Sequence, residues 1–296
     1  MPQNEAWTVG RLLEWTAKYL ADHGSSSPRL DAEVLLAEAL GCRRIELYTS
    51  YDRQPDDVVR AAFRELVRRR AEGTPVAYLV GHREFYSLSF RVTPDVLIPR
   101  PETEHLVVTL LDLARPPASD GRVEICDVGT GSGIIAVAAA RHLPNCRVTA
   151  VDSSAAALEV ARSNAARHEV ASQIEFLQSD LMHGVPQQRR FDFVVSNPPY
   201  VSRSELKTLA AEVREHEPHA ALLAGERGTE VIEALLPQAA ERLKSGGHLL
   251  VEISPMIHDA VRQLIQADGR LELQETIKDL ARRPRVVHAV KAEKRG

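Results

Sequence analysis

The chain has 296 residues, of which 44% are hydrophobic and 26% charged, with a formal net charge of −4 and a pI near 6.3. This length has room for two domains, and the slightly acidic balance argues against a protein that holds nucleic acid by charge alone. The three widely spaced cysteines indicate reduced thiols. With no signal-peptide pattern and no apolar run near the roughly 18 residues of a membrane span, we expect a cytoplasmic protein without membrane association.

The first 80 residues carry helical patterns only. Apolar residues at helical spacing from Val9 to Leu20 predict a first helix that Gly24 ends. A second helix is predicted from Pro28 to Gly41, because proline is favoured at the first helical position. A third is predicted over Asp56 to Glu72. Since no strand pattern alternates with these helices, we predict an all-helical domain over residues 1–80.

The pattern changes to a period of two from Glu84. Apolar residues alternate with polar ones around Leu88, which predicts a half-buried strand and a β-hairpin linker over residues 81–100. A helix is predicted from His105 to Leu113, followed by a surface turn at Arg115–Gly121.

The rest of the chain alternates strands with helices. We predict strands at Val123–Val128, Arg147–Val151, Gln173–Leu177, Phe191–Ser196 and His248–Ile253, with helices at Ile134–His142, Ala155–His168 and Glu230–Leu243. Such alternation indicates a parallel sheet covered on both faces. Two late strands, near Leu271–Thr276 and Arg285–Val290, are expected to pair antiparallel at one edge. The prediction is an α/β domain over residues 101–296 with a seven-stranded, mostly parallel sheet.

A glycine-rich loop follows the first of these strands and Asp127, with the sequence Gly129-Thr130-Gly131-Ser132-Gly133. Glycines let the backbone approach a ligand closely. Asp152 ends the next strand, at about the 20-residue offset where an acid meets ribose hydroxyls. Asp180 follows the third strand, where it can accept from an adenine amino group while Leu181 packs against the ring. Since no Gly-Lys-Ser/Thr phosphate loop is present, the loop predicts a nucleoside ligand without a triphosphate.

The segment Asn197-Pro198-Pro199-Tyr200 closes the strand Phe191–Ser196. The Asn197 side-chain oxygen and the Pro198 carbonyl can accept both hydrogens of a planar NH2 group, and Tyr200 can lie over its face. Accepting both hydrogens raises the electron density on nitrogen, so positioning and fixed dipoles can replace a strong base. The segment predicts methyl transfer to the nitrogen of an amide or a nucleobase.

Three other patterns do not predict a further functional site. His216-Glu-Pro-His219 resembles a metal cluster, but Pro218 interrupts the helix that would align the ligands, so we predict a loop near the acceptor pocket and no metal. Cys126 lies in an apolar strand and is predicted to be core. Ser132 lacks the Gly-x-Ser-x-Gly context of a hydrolase nucleophile.

Longer stretches resemble the HemK/PrmC family of class I S-adenosylmethionine-dependent methyltransferases. The most specific is Val96-Leu-Ile-Pro-Arg-Pro-Glu-Thr-Glu104; the others are Ser27–Leu36, Arg70–Gly81, Glu84–Tyr86, Glu217–Leu222 and Arg283–Val287. The resemblance covers nearly the whole chain and implies a Rossmann-like methyltransferase domain. It also implies N5-methylation of the glutamine in the Gly-Gly-Gln motif of class 1 peptide chain release factors.

The resemblance implies a role for each candidate residue. S-adenosylmethionine, which leaves as S-adenosylhomocysteine, would contact Asp127, Gly129–Gly133, Asp152, Asp180, Leu181 and Asn197. Asn197–Tyr200 would hold the glutamine amide, with Arg100 and Glu102 also binding substrate, and the helical domain would grip the release factor. We expect a monomer with no direct nucleic-acid substrate. The chain departs from the family at Leu181, where an aromatic is frequent, at Ser87, which replaces a usual glycine, and at Ser254-Pro255.

Two other functions remain open at this point. An enzyme acting on the amino group of adenine or another base in DNA or RNA would share the acceptor chemistry, although the acidic charge and 5% aromatic content count against it. A non-catalytic nucleoside-binding adaptor is the second, and the intact acceptor segment Asn197–Tyr200 argues against it. Incubation with labelled cofactor and either a release factor or nucleic acid separates these possibilities.

Overall fold

The computed structural model describes residues 6–114 and 121–293. Of the surface turn predicted at Arg115–Gly121, residues 115–120 lie outside the described residues. The chain divides into two compact units: Met1–His82 with Ala210–His216, and Arg83–Leu209 with Glu217–Gly296. The domain boundaries near residues 80 and 100 stay a prediction.

The regular elements are as follows. The helices are α1 (Val9–Asp22), α2 (Pro28–Leu40), α3 (Glu46–Thr49), α4 (Asp57–Ala71), α5 (Val76–Val80), α6 (Thr103–Ala114), α7 (Ile134–His142), α8 (Ala155–Arg167), α9 (Arg203–Leu206), α10 (Ala211–His216), α11 (Glu230–Arg242) and α12 (His258–Asp268). The strands are β1 (His82–Phe85), β2 (Leu88–Arg91), β3 (Val123–Val128), β4 (Cys146–Asp152), β5 (Ile174–Gln178), β6 (Phe191–Ser196), β7 (Val201–Ser202), β8 (Leu223–Gly225), β9 (Leu243–Glu252), β10 (Leu271–Leu273), β11 (Ile277–Lys278) and β12 (Pro284–Lys291). In the part of the chain described, no helix is both long and apolar enough to span a membrane.

The helical unit follows the capping signals of its sequence. The Thr8 hydroxyl accepts from the N–H of Arg11 at the start of α1, and the Asp56 carboxylate accepts from the N–H of Val59 at the start of α4. Helix α2 runs from Pro28 to the residue before Gly41. The predicted helices α1, α2 and α4 are confirmed. The short helices α3, α5 and α10 were not predicted, because four to six residues carry too little periodicity to read.

Helix α10 joins the helical unit through a buried charge. The Arg70 guanidinium is nearly buried and pairs with Asp31 at 2.8 Å and with Glu212 of α10 at 2.6 Å. Asp31 also accepts a hydrogen bond from the Ser25 hydroxyl. These contacts satisfy the arginine and the aspartate together, as a buried pair requires.

The second unit is built around one sheet with the strand order β10-β12-β9-β6-β3-β4-β5, and β11 pairs beside β10 on β12. The pairs β9-β6, β6-β3, β3-β4 and β4-β5 are parallel, which confirms the predicted α/β fold class. The late strands do pair antiparallel, as expected. Their predicted place at the edge holds only for β10, since β12 also pairs with β9 and lies inside the sheet.

Successive residues of the central strands face different cores. Ile125 of β3 packs with α6 and α7 residues such as Leu110 and Val137, whereas Cys126 packs with α11 residues such as Leu235. This alternation is the side-chain period of a strand buried on both faces. Cys126 is fully buried, so its prediction as a core residue is confirmed.

The hairpin β1-β2 turns through a strained pair of residues. Its two-residue loop is Tyr86-Ser87, and both have positive φ, 49° and 59°. Two consecutive positive φ values define the hairpin turn that most favours glycine or asparagine. The departure noted at Ser87 therefore has a physical meaning, because the family's usual glycine suits this backbone better.

Candidate active site

The sequence-predicted residues meet in a cleft of about 280 Å³ at the carboxyl edge of the sheet. It is lined by Gly129–Ser132, Asp152, Asp180 and Leu181, Asn197–Pro199, and Arg100. The cleft forms here because β3, β4 and β6 run parallel and end together, where open α/β sheets bind ligands. Four predicted residues lie outside the lining set: Asp127, Gly133, Glu102 and Tyr200.

The glycine loop is held open by its neighbour strand. Gly129 and Gly131 have φ of 73° and 56°, and a Cβ on either would project into open space. The Asp152 carboxylate accepts from the N–H of Gly131 at 2.9 Å and from the N–H of Ser154 at 2.9 Å. Each carboxylate oxygen keeps a second lone pair for a ligand hydroxyl. The loop is thus rigid, with its backbone exposed to the cleft.

Gly133 and Asp127 support the loop from behind the cleft. A Cβ on Gly133 would lie 3.1 Å from the Ala161 Cβ, so this glycine allows α7 and α8 to pack closely. Asp127 is fully buried and accepts from the Thr130 hydroxyl at 2.6 Å and the N–H of Ala136 at 3.2 Å. Burial raises the pKa of Asp127 to about 7.

Asn164 is a residue that the sequence reading missed. Its buried amide donates to the Ser132 carbonyl at 2.8 Å and to the Arg91 carbonyl at 3.0 Å, and accepts from the N–H of Arg91 at 2.7 Å. One side chain on α8 therefore ties the glycine loop to the hairpin strand β2. An asparagine inside a helical pattern is the only sequence signal, since its partner Arg91 is 73 residues away.

Asp180 and Leu181 form the far wall of the cleft. Asp180 is exposed, so its carboxylate is accessible to a ligand. Leu181 has φ of 47°, a conformation that costs a non-glycine residue about 1–3 kcal/mol and that clusters at ligand sites. The pair combines an acceptor with an apolar surface, which suits a purine carrying an amino group.

Asn197 presents its amide to the cleft in a defined orientation. Its Nδ2 donates to the Thr103 hydroxyl at 3.1 Å, and this is the one side-chain hydrogen bond of Asn197 within residues 6–114 and 121–293. Pro198 is buried beside it. The half-buried Tyr200 ring packs against the core beneath β9, and burial followed by the Glu252 charge raises the pKa of Tyr200.

Arg100 is held in place by a second missed residue. The buried Glu217 accepts from the Arg100 guanidinium and, at 3.2 Å, from the N–H of Ile98. Glu102 instead faces Arg285, 3.8 Å away. Glu217 belongs to the segment His216–His219, which was predicted to be a loop near the acceptor pocket and not a metal site. Pro218 of the same segment lines the cleft. Within the described residues, no group of three or more His, Cys, Asp or Glu is arranged to hold a metal ion.

Comparison with known proteins first defines the class. Residues 109–223 match the family model described as "Methyltransferase small domain". A methyltransferase from Pyrococcus furiosus matches with a TM-score of 0.51 and 19% identity, covering 71% of this chain and 91% of that one. A T. thermophilus 16S rRNA N2 G1207 methyltransferase, solved with AdoMet and guanosine, also has a TM-score of 0.51 at 19% identity, covering 71% of this chain and 49% of that one. The fold is that of a methyltransferase.

The relatives then define the family. Residues 11–81 match the model described as "PrmC N-terminal domain". The release factor glutamine methyltransferase of Rhodopirellula baltica is 52% identical over 287 residues, 97% of both chains. That of Koribacter versatilis is 43% identical over 280 residues, 95% of this chain and 97% of that one. The chain belongs to the family of release factor glutamine methyltransferases, as the resemblance of its motifs predicted.

Proposed function

We propose that this protein methylates the N5 amide nitrogen of the glutamine in the Gly-Gly-Gln motif of class 1 peptide chain release factors, with S-adenosylmethionine as donor. The observation that carries the proposal is the placement of the Asn197 amide in one cleft with the glycine loop and Asp152. The names and full-length similarity of the relatives support the same substrate.

The cleft suits the proposed cofactor at each end. The exposed loop backbone at Gly129 and Gly131 and the carboxylate of Asp152 suit a ribose, and Asp180 with Leu181 suits an adenine. When bound, S-adenosylmethionine supplies an electrophilic methyl group and leaves as S-adenosylhomocysteine. The described residues contribute no metal cluster to this cleft, and we propose that the reaction uses none.

The acceptor end activates the nitrogen by position. The unoccupied Oδ1 of Asn197 and the Pro198 carbonyl would accept the two hydrogens of the glutamine NH2 group. The nitrogen lone pair would then point out of the amide plane toward the methyl group. The nitrogen–carbon bond forms as the sulfur–carbon bond breaks, and the extra proton leaves to solvent afterwards. Fixed dipoles supply the rate enhancement.

The direct test is mass spectrometry of a release factor after incubation with enzyme and S-adenosylmethionine. We expect the Gly-Gly-Gln peptide to gain one methyl group on its glutamine. Parallel incubations with DNA and RNA test the nucleobase alternative, and methylation of nucleic acid but not of the release factor would overturn the proposal.

The Asn197→Ala variant tests the mechanism. Losing one preorganised acceptor is expected to lower kcat by roughly 10²–10³-fold, while S-adenosylhomocysteine binding, measured by calorimetry, stays near the wild-type value. Asn145→Ala is a matched control, because Asn145 is exposed and remote from the cleft lining. Full activity of Asn197→Ala would refute the acceptor role.

Further expectations concern the whole molecule. We propose that the helical unit grips the release factor, that Arg100 and Glu102 contribute to substrate binding, and that Tyr200 covers the acceptor amide. We also propose that the enzyme acts in the cytoplasm as a monomer. Sedimentation of the enzyme alone and with a release factor tests both the monomeric state and the binding of the release factor.

A further inference from the structure

Glu252 is a buried carboxyl beside the proposed acceptor site that no step so far uses. It ends β9 and is 1% exposed. The parallel register pairs Ser196 of β6 with Val251 of β9, so the residues that follow, Asn197 and Glu252, lie side by side at the end of the two strands. In the described residues its Oε2 has no hydrogen-bond partner. A buried acid in this position needs a reason, because burial without full pairing is costly.

Thr103 connects Glu252 to Asn197. Thr103 is fully buried, its hydroxyl accepts from Asn197 Nδ2 at 3.1 Å, and it is one of the groups that favour the charged form of the Glu252 carboxyl. Threonine has one proton to donate, whereas an ionised carboxylate can only accept. An ionised Glu252 is therefore the acceptor that this arrangement offers to the Thr103 proton, while the Thr103 oxygen accepts from Asn197.

The direction of the hydrogen bonds between Asn197, Thr103 and Glu252 decides which end of the Asn197 amide faces the cleft. With the Asn197 NH2 group bound to Thr103, Oδ1 is the end available to a ligand. If the Thr103 proton pointed to Asn197 instead, the amide would turn and present two donors to the glutamine NH2 group. Two donors facing two donors cannot bind the acceptor nitrogen in the geometry that the reaction needs.

We propose that Glu252 and Thr103 are positioning residues that hold Asn197 with its oxygen toward the acceptor NH2 group. This inference rests on the proposed function for the kind of acceptor, but the hydrogen-bond chain applies to any NH2 group. Neither residue touches the substrate; both act through Asn197.

Through these hydrogen bonds, the protonation state of Glu252 makes the orientation of the Asn197 amide depend on pH. Burial raises the pKa of Glu252 to about 7, the charge of Glu102 raises it further, and Thr103, Arg285 and Tyr200 oppose the rise. Glu102 lies just before α6 and Thr103 begins it, Arg285 lies in β12, and Tyr200 follows the end of β6. A protonated Glu252 can donate to Thr103, which reverses the chain and turns the Asn197 amide.

The central experiment compares Thr103→Val and Thr103→Ser in steady-state methylation of a release factor. Valine keeps the shape and removes the hydroxyl, so kcat is expected to fall roughly 10-fold or more, with little change in KM or in S-adenosylhomocysteine binding. Serine keeps the hydroxyl and is expected to stay within about 3-fold of wild type. Thr149→Val is the matched control, because Thr149 is a buried sheet threonine that accepts from Arg189 away from the cleft.

A pH profile separates positioning from a structural role. Wild-type kcat is expected to fall on the acid side as Glu252 is protonated, and Glu252→Gln is expected to lose that acid limb because glutamine does not titrate. If Thr103→Val does not fold, the profile decides in an Asp127→Asn background, because the pKa of Asp127 is also about 7: an acid limb that Glu252→Gln retains in this background overturns the inference. Near-wild-type kcat in Thr103→Val, or equal losses in Thr103→Ser, overturns it as well.

The result with the wild-type enzyme distinguishes a failure of the proposed function from a failure of the positioning inference. Wild-type enzyme that leaves the Gly-Gly-Gln peptide unmodified refutes the proposed function, and the Thr103 variants are then compared on whichever NH2 acceptor the enzyme methylates. A methylated peptide with unaffected Thr103→Val turnover refutes only the positioning inference.

Discussion

Replacing Asn164 tests how the glycine loop is held. Asn164→Ala removes three hydrogen bonds and leaves the Arg91 N–H and two carbonyls, of Arg91 and Ser132, without their partner. A net value of about 1 kcal/mol for each bond predicts a loss of about 3 kcal/mol in the free energy of unfolding. Because Ser132 belongs to the loop, affinity for S-adenosylhomocysteine should fall as well.

The isosteric change Asn164→Asp sharpens the argument. Aspartate keeps the acceptor for the Arg91 N–H, but it sets carboxylate oxygens against the carbonyls of Ser132 and Arg91, where the amide donated. At neutral pH this variant should be at least as destabilised as Asn164→Ala. Part of the loss should be recovered in acid, where a protonated carboxyl can donate one hydrogen bond.

Urea unfolding followed by circular dichroism is the suitable assay. Both tryptophans of the chain, Trp7 and Trp15, lie in the helical unit, so their fluorescence serves as an internal control for that unit. The exposed Asn145→Ala should change stability by less than about 0.5 kcal/mol. An Asn164→Ala protein as stable as Asn145→Ala would refute the three-bond account.

Two further changes test strain and buried charge. Ser87→Gly should raise the free energy of unfolding by about 1 kcal/mol, because glycine adopts the φ of 59° without a Cβ penalty; a lower urea midpoint would contradict this. Burial raises the pKa of Asp127 from its ordinary 3.8 to about 7, so its stabilising contribution is present below about pH 4 and lost as pH rises through about 7. Relative to the non-titrating Asp127→Asn, the wild type should therefore lose about 3 kcal/mol between pH 5 and pH 8, and a difference that does not change with pH would count against the buried, ionisable Asp127.

Local signals predicted most of the elements that build the site. Proline and glycine at the ends of α2, and strands that alternate with helices after residue 122, placed the glycine loop and Asn197 at one sheet edge. Helix α12 was missed, and β9 begins five residues earlier than the predicted His248. The interior place of β12 was also missed, because strand order depends on pairing between distant segments and leaves no local periodicity.

The missed residues share a physical cause. Asn164, Glu217 and Glu252 are buried polar groups whose partners lie far away in sequence, so each looks locally like an ordinary helix, loop or strand position. Glu252 left the clearest trace, as a carboxyl ending an apolar strand. With the strand order β3-β6-β9 given in addition, the sequence would have placed the Glu252 carboxyl next to Asn197.

The pairing of β6 with β9 therefore bears on how the Asn197 amide is oriented. In the proposed function the segment Asn197–Tyr200 holds an NH2 acceptor, but an asparagine amide can present either its oxygen or its nitrogen. In the positioning inference, an ionised Glu252, which can only accept, decides between them through Thr103, and the parallel pairing of β6 with β9 brings this carboxylate to the same edge. The acceptor specificity of Asn197 is in this sense a property of the sheet as well as of the segment.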